Sequence, residues 1–585
     1  MLFRSPILGD NSGFGTVGAR AQSVYLYESP SSTSHFSRVG GNYENLLSPW
    51  RTYFSDRARA YKAIKSVSQL QELKDGVLVL PSALALGEPE RVAIAAFRAR
   101  GGSVLATWAT GTRDASGEWV GWSFLEQLGV SNVSEIPTAS LLTRLVLNGE
   151  MPVSYSHGAG QSIALGKAAE PLLAMQGSHI AARFMGSDHV ISADRQQEGA
   201  VLYSESKLKA SRAVVFAFAE STWEAKPFAT QLIIDDALKW LSHDVSVIKA
   251  AWPQAKRSAQ VIQVDAGENV SKAPEGAAAG MLDLATLLQA AGYPATAFLT
   301  SAFAKDEPTL ALALEKVFEI GYHGDVLEGL KGVDPATQRK RLDLMRVDLA
   351  RVLPRSRSAL GFRAPLESYS ANTEQIIQQM GIRYHGVEPN RFDDRIPHFA
   401  KLPELLPKDD LLLLPRSQRD DIKLLAQGLS VEQLSSALIT DFDFSFETGA
   451  LGWLSLHGQN LGLGSPMSKS LAHLVKHTKT QTRPVWYANA GQIDQWWRDR
   501  ERVKVSSQFN GKLLDLSVTV TGDSSVSGAG LVVMLPAKGL HPIVRAAKVG
   551  TELPQAAPVD EFRWKIVFAE LKPGNYNYAV AFETR

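Results

Sequence analysis

The chain has 585 residues, 45% hydrophobic and 21% charged, with 61 Lys plus Arg against 60 Asp plus Glu. That composition excludes long-range disorder, and the length predicts about three to five domains. The balanced charge excludes a broad footprint for nucleic acid or anionic membrane, and the lack of cysteine excludes disulfides, thiolate metal sites and Cys nucleophiles.

In chain order, the start MLFRSPILGDNSG lacks the apolar core of a signal peptide. That predicts either a cytoplasmic protein or one whose leader precedes this chain. No stretch reaches the ~20 continuous apolar residues of a membrane span, so no transmembrane segment is expected. Residues 23–27 read as a strand, followed by a Ser/Gly-rich loop and a helix over 45–57. Strands are predicted at 61–67, 76–80 and 103–107. A helix over 88–100 places Val92, Ala95, Ala96 and Ala99 on one face, with Gly101-Gly102 as its stop. This alternation predicts parallel βαβ units. Residues 163–218 read as mainly β, and a helix over 227–241 closes the region.

A linker over 252–258 leads to a second α/β region. Its strands are predicted at 260–264, 295–299, 382–386 and 453–457. Its helices are predicted at 277–290, 309–319 and 335–351, with Asp334 before Pro335 at the start of the last. After Arg500 the period changes to two: Leu514, Leu516, Val518 and Val520 alternate with Asp515, Ser517 and Thr519. The expected fold is therefore a multidomain α/β protein. Residues 1–250 form an α/β domain, 251–500 a β/α domain, and 501–585 a β-sandwich.

Four positions fall at predicted strand ends, where α/β sheets and barrels carry their chemistry. Asp265 is a candidate base or metal ligand, with a turn or helix cap as the alternative. His323 is a candidate ligand or a structural His. Arg363 needs a carboxylate partner or a substrate anion. His457 ends an apolar strand at the mouth of the sheet, which suits a general acid as well as a satisfied core His. The cluster Arg416–Asp421 reads as a solvated turn, and Trp486, Trp496 and Trp497 as packing residues.

The order of these positions resembles the polysaccharide deacetylase family, carbohydrate esterase family four, over about 258–500. The carriers are Val264-Asp265-Ala266-Gly267, Gly321-Tyr322-His323-Gly324, Gly361-Phe362-Arg363-Ala364-Pro365 and Leu456-His457. The resemblance implies a distorted β/α barrel that hydrolyses an acetamide or acetate ester on a polysaccharide or oligosaccharide. It also implies a zinc-type divalent cation that polarises the carbonyl and acidifies a water. Carried over by position, Asp265 is the base, His323 a metal ligand, Arg363 the residue orienting Asp265, and His457 the acid. Arg363, Pro365 and Trp453 are expected to contact substrate. An Asp within 416–421 matches the family residue that supports the catalytic His. Three positions depart from the pattern: Ala266 replaces a metal-binding Asp, Leu327 a metal-binding His, and Leu366 an aromatic. A catalytic cation takes about three protein ligands. The remaining expected set is His323, Glu268 and Asp325.

Residues 20–245 resemble a flavodoxin-like, class I glutamine amidotransferase-like domain. The carriers are Gly76-Val-Leu-Val-Leu-Pro81, Val92-Ala-Ile-Ala-Ala-Phe97 and Arg100-Gly-Gly-Ser-Val-Leu-Ala-Thr107. Without cysteine such a domain forms no thioester, which implies assembly, including a homo-oligomer, or ligand docking. The expected function is a deacetylase of a cell-envelope or exopolysaccharide glycan, in the periplasm or envelope. The alternative is a pseudoenzyme that binds glycan or scaffolds an envelope complex.

Overall fold

The computed structural model describes residues 23–137, 142–167, 170–186, 195–206, 210–270, 276–353, 355, 359–401, 410–546 and 552–584. The segment MLFRSPILGDNSG lies outside them. Contacts divide the chain into two units, 1–250 with 502–585, and 251–501.

In the first unit a nine-stranded sheet begins with five parallel strands, in the order Lys62–Ile64, Val24–Tyr27, Val77–Leu80, Ser103–Thr107 and Arg212–Phe216. Val77–Leu80 and Ser103–Thr107 are buried throughout, as strands covered on both faces must be. The sheet continues through antiparallel strands over 142–205. The expected loop after the first strand is instead a helix, Pro30–Arg38. Ser29 accepts from the Ser32 amide at its start, and Pro30 occupies the first turn, where its missing N–H is harmless. The helix Glu88–Ala99 buries Ala93, Ile94 and Phe97 and leaves Val92 55% exposed, so the expected face is corrected. The bulkier side chains set which stripe meets the sheet.

The period-two strands form two four-stranded antiparallel sheets around one apolar core that includes Leu516, Val518, Val533 and Ile566. One sheet begins before residue 500: Ser246–Lys249 pairs with Gly530–Met534.

The second unit is a curled sheet whose parallel strands run in the order Leu412–Pro415, Tyr384–Val387, Gly361–Arg363, Glu319–Tyr322, Thr296–Leu299, Ser258–Ala266 and Leu451–His457. Its ends approach each other. Gln418 N donates to Trp453 O at 3.3 Å, and Trp453 N to Ser417 Oγ at 2.9 Å. Ile262, Val264 and Ala266 face the helices. Ala259 and Val261 face an interior filled by Phe298, Tyr384 and Trp453. Gly321 and Gly361 make room for that interior. A Cβ at Gly321 would lie 2.5 Å from the Phe298 ring, and one at Gly361 2.1 Å from the Tyr384 ring.

The helix expected over 309–319 ends at Glu315, and Glu319 begins a strand. The Glu319 carboxylate accepts from Thr296, Tyr384 and the Gly491 amide, each at 2.9 Å, which ties it into the sheet. Among the described residues, no helix is long and apolar enough to cross a membrane.

Candidate active site

Four strands of the curled sheet end at one cavity of about 350 Å³, lined by Asp265, His323, Arg363, Glu367, Leu327 and His457 among others. Parallel strands place their last residues on a common rim, which is why residues far apart in sequence meet here.

Asp265 and Arg363 form the buried centre. Arg363 Nε donates to Asp265 Oδ2 at 2.8 Å, with both side chains under 5% exposed. Arg363 Nη2 donates to Glu367 Oε1 at 2.9 Å and to Ser455 Oγ at 3.2 Å. Burial raises the carboxyl of Asp265, but the cation of Arg363, with His323 and His457, outweighs it and leaves the group below the ordinary carboxylate range. Burial lowers Arg363, and the two carboxylates more than reverse that. Among the described residues, Asp265 Oδ1 and Arg363 Nη1 are buried without a hydrogen-bond partner.

His457 is held by a residue read from the sequence as solvated. Asp421 is fully buried. Its Oδ1 accepts from His457 Nδ1 at 2.6 Å, and its Oδ2 accepts from the His457 amide at 2.8 Å and from Asn460 at 3.0 Å. Nδ1 thus carries a hydrogen, and Nε2 lies 3.9 Å from Asp265 Oδ2. Burial lowers the imidazole, while the bond and charge of Asp421 and the charge of Asp265 carry it above its ordinary value. A ring held this way is oriented and disposed to carry a proton.

His323 Nδ1 donates to the Arg363 carbonyl at 2.8 Å. Burial lowers its pKa, and the charge of Asp265 and the bond to the Arg363 carbonyl do not restore it.

The expected solvated turn over 416–421 is corrected in full. Arg416 is 8% exposed and grips Glu367 at 2.7 and 3.0 Å and Asp420 at 3.0 Å. Glu367 therefore bridges two arginines. It follows Leu366, and both adopt left-handed backbone, with φ of +56° and +50°. Two consecutive non-glycine residues there cost roughly 1–2 kcal/mol each, which the double ion pair of Glu367 offsets. Glu367 and Ser455 are the site residues that sequence reasoning passed over, whereas Asp421 is the Asp within 416–421 that the resemblance pairs with the catalytic His. Glu367 stands four residues from Arg363, and Ser455 two before His457 on the same strand face, so spacing carried a signal for both.

Other expected residues lie elsewhere. Glu268 accepts from the Leu327 amide at 2.7 Å and from Thr300 Oγ1 at 3.2 Å. Asp325 is clasped by Arg341, with Nη2 to Oδ1 at 2.8 Å. Neither joins His323 at the cavity lining. Trp453 is fully buried in the sheet interior rather than at the cavity, and Pro365 is buried and does not line it.

Residues 272–385 match the family model described as polysaccharide deacetylase. The second unit carries a polysaccharide deacetylase domain. The match to the deacetylase model includes His323 and Arg363, while Asp265, Asp421 and His457 lie outside it. Solved structures resemble the chain at low identity. A protein of Mycobacterium smegmatis described as a polysaccharide deacetylase is 19% identical, covering 43% of this chain and 93% of its own, with a TM-score of 0.37. Agd3, described as a novel carbohydrate deacetylase, is 11% identical, covering 96% and 99%, with a TM-score of 0.42. A family-4 carbohydrate esterase pseudoenzyme from Bacillus anthracis is 12% identical, covering 41% and 66%, with a TM-score of 0.29. No curated protein matches the chain.

The described residues of the deacetylase domain do not fit a three-ligand catalytic cation. Ala266 and Leu327 offer no side-chain donor atoms, and Glu268 and Asp325 are bonded elsewhere. Among the described residues, no group of three His, Cys, Asp or Glu side chains is placed to hold a metal.

The dyad makes one expectation measurable. Asp421→Asn keeps an acceptor for His457 Nδ1 but removes the charge, so burial dominates and the His457 pKa falls below its ordinary value. In the wild type the raised pKa contributes stability that is full below the unfolded value and lost as pH rises through the folded one. The variant is expected to lose stability of about 1–3 kcal/mol at acidic pH and less at alkaline pH. Histidine NMR titration and urea melts across that range check both effects. An unmoved His457 resonance would remove Asp421 from this role.

Proposed function

We propose that the deacetylase domain binds an acylated polysaccharide in the Asp265 cavity without the metal-dependent turnover of its family. The observation that carries this reading is the donor set. The Asp265–Arg363 pair and the His457–Asp421 dyad share one cavity, while Ala266 and Leu327 leave the cation with too few ligands. Hydrolysis of an acetamide needs its carbonyl polarised and a water made nucleophilic. Asp265, held low by Arg363, is a weak base for that task. As a binding site the cavity is well equipped. Asp265 and Arg363 line the cavity, and their Oδ1 and Nη1 atoms keep one acceptor and one donor unused among the described residues, the pair that the N–H and C=O of an amide-bearing sugar would need. The degenerate metal site belongs to this reading, as does a cell-envelope or exopolysaccharide context. The amidotransferase-like resemblance of the first region fits a non-catalytic role in the same context, because a chain without cysteine forms no thioester.

The test combines calorimetric binding of an N-acetylglucosamine hexamer with metal analysis and acetate release on the purified full chain. Binding with sub-stoichiometric metal and no acetate is expected. Stoichiometric metal together with acetate release would overturn the reading. A second reading, hydrolysis with His457 as acid and Asp265 as base, is favoured by the 3.9 Å between His457 Nε2 and Asp265 Oδ2. Under it, Asp265→Asn and His457→Ala each abolish acetate release.

A further inference from the structure

We infer that the first unit carries a polysaccharide-binding site of its own, built on Trp119 and Trp122. Trp119 is 50% exposed and Val120 beside it 41% exposed. The two indoles meet edge to face, with centroids 4.9 Å apart and planes at 84°, forming an aromatic corner.

The loop that presents this corner is tied by several hydrogen bonds. Leu86 N donates to Arg113 O and Arg113 N to Leu84 O, each at 3.0 Å. Val120 N donates to Thr112 O at 2.8 Å, and Asp114 N to Glu118 O at 3.0 Å. Asp114 Oδ1 accepts from Ser116 Oγ at 2.6 Å and from the Glu118 amide at 3.0 Å. Arg38 Nη2 reaches across to Ala115 O at 2.9 Å. A loop tied at so many points holds a large apolar ring in water in one fixed orientation, which lowers the ordering cost of binding. It also follows the carboxyl end of the parallel strand Ser103–Thr107, the edge at which open α/β sheets hold ligands.

The chemistry of the corner selects the occupant. An indole face packs against the axial C–H face of a pyranose, and perpendicular faces suit a chain that turns from one ring to the next. Two partly exposed Trp rings and one Val offer on the order of 200–300 Å². That falls well short of the ~800 Å² per partner that a stable protein interface buries, and it matches one or two sugar rings. The inference does not depend on what the Asp265 cavity binds.

Affinity electrophoresis and calorimetry on the full chain test it, with an N-acetylglucosamine hexamer, cellohexaose and soluble chitosan as probes. Trp119→Ala is expected to weaken binding of at least one probe about tenfold, while Trp119→Phe retains most of it. His457→Ala, which alters the other unit, leaves the Trp119-dependent difference in place. Equal thermal melting of wild type and Trp119→Ala establishes that the fold is intact. Unchanged affinity in Trp119→Ala for every probe would overturn the inference, as would a wild type that binds none. Loss of self-association in Trp119→Ala with sugar binding untouched would also overturn it, by making a second copy the occupant.

Discussion

Arg363→Ala is expected to destabilise the deacetylase domain by about 3–5 kcal/mol, because it leaves Asp265 as a buried charge without its partner. Glu367 is less affected, since Arg416 still grips both of its oxygens. The pH dependence distinguishes this cause from a simple loss of packing. In the wild type Asp265 is depressed. It contributes stability that is full above its unfolded value and lost as pH falls through its folded value. Without Arg363, burial is opposed only by the two histidines, and the Asp265 pKa rises above the ordinary range. The penalty is then largest at neutral pH and shrinks as acid protonates the carboxyl. Urea melts at neutral and mildly acidic pH read this directly. Asp265→Asn added to Arg363→Ala should recover a large part of the loss at neutral pH. An equal deficit at both pH values, unrelieved by the second change, would show that the cation does not act through Asp265.

The parts of this site that were legible in the sequence share one property: each ends a strand. Asp265, His323, Arg363 and His457 follow apolar runs, and a parallel sheet delivers such residues to one rim whatever their separation along the chain. The residues that were not legible depend on partners that periodicity does not reveal. Asp421 looked solvated because a run of charges usually is, yet Arg416 finds Glu367 and Arg419 finds Asp441. Glu268 and Asp325 stand near His323 in sequence, but the amide of Leu327 and the guanidinium of Arg341 turn their carboxylates to other work. Trp453 shares its strand face with Ser455 and His457, so its inward direction was predictable. Its depth was not, because depth depends on how tightly the sheet curls around Phe298 and Tyr384. At the level of the fold, alternation predicted the strands after Arg500. The pairing of Ser246–Lys249 with Gly530–Met534 is a contact across nearly three hundred residues that no local pattern encodes.

The missing ligands predict a gain of function. The pair Ala266→Asp and Leu327→His supplies the two donors that the family pattern places with His323. Ala266 is fully buried on the helix-facing side of its strand, among residues such as Val264 and Met281. A carboxylate introduced there without a cation is a buried unpaired charge, and the metal-free double variant is expected to be less stable than wild type by about 3–5 kcal/mol. Zinc should reverse this, because a ligand bound only by the folded state stabilises it by about 2.7 kcal/mol at a hundredfold excess over its Kd. The wild type, with His323 alone, should show no such response. Thermal melts with and without zinc, run beside metal analysis, separate the two proteins. Acetate release is an additional readout. If it appears in the double variant, Asp265→Asn should abolish it while leaving the zinc-dependent rise in melting temperature intact, since that residue serves the chemistry and not the cation. A double variant whose melting is indifferent to zinc would mean that positions 266 and 327 do not converge on His323, and the donor-set argument for a binding protein would lose its geometric basis.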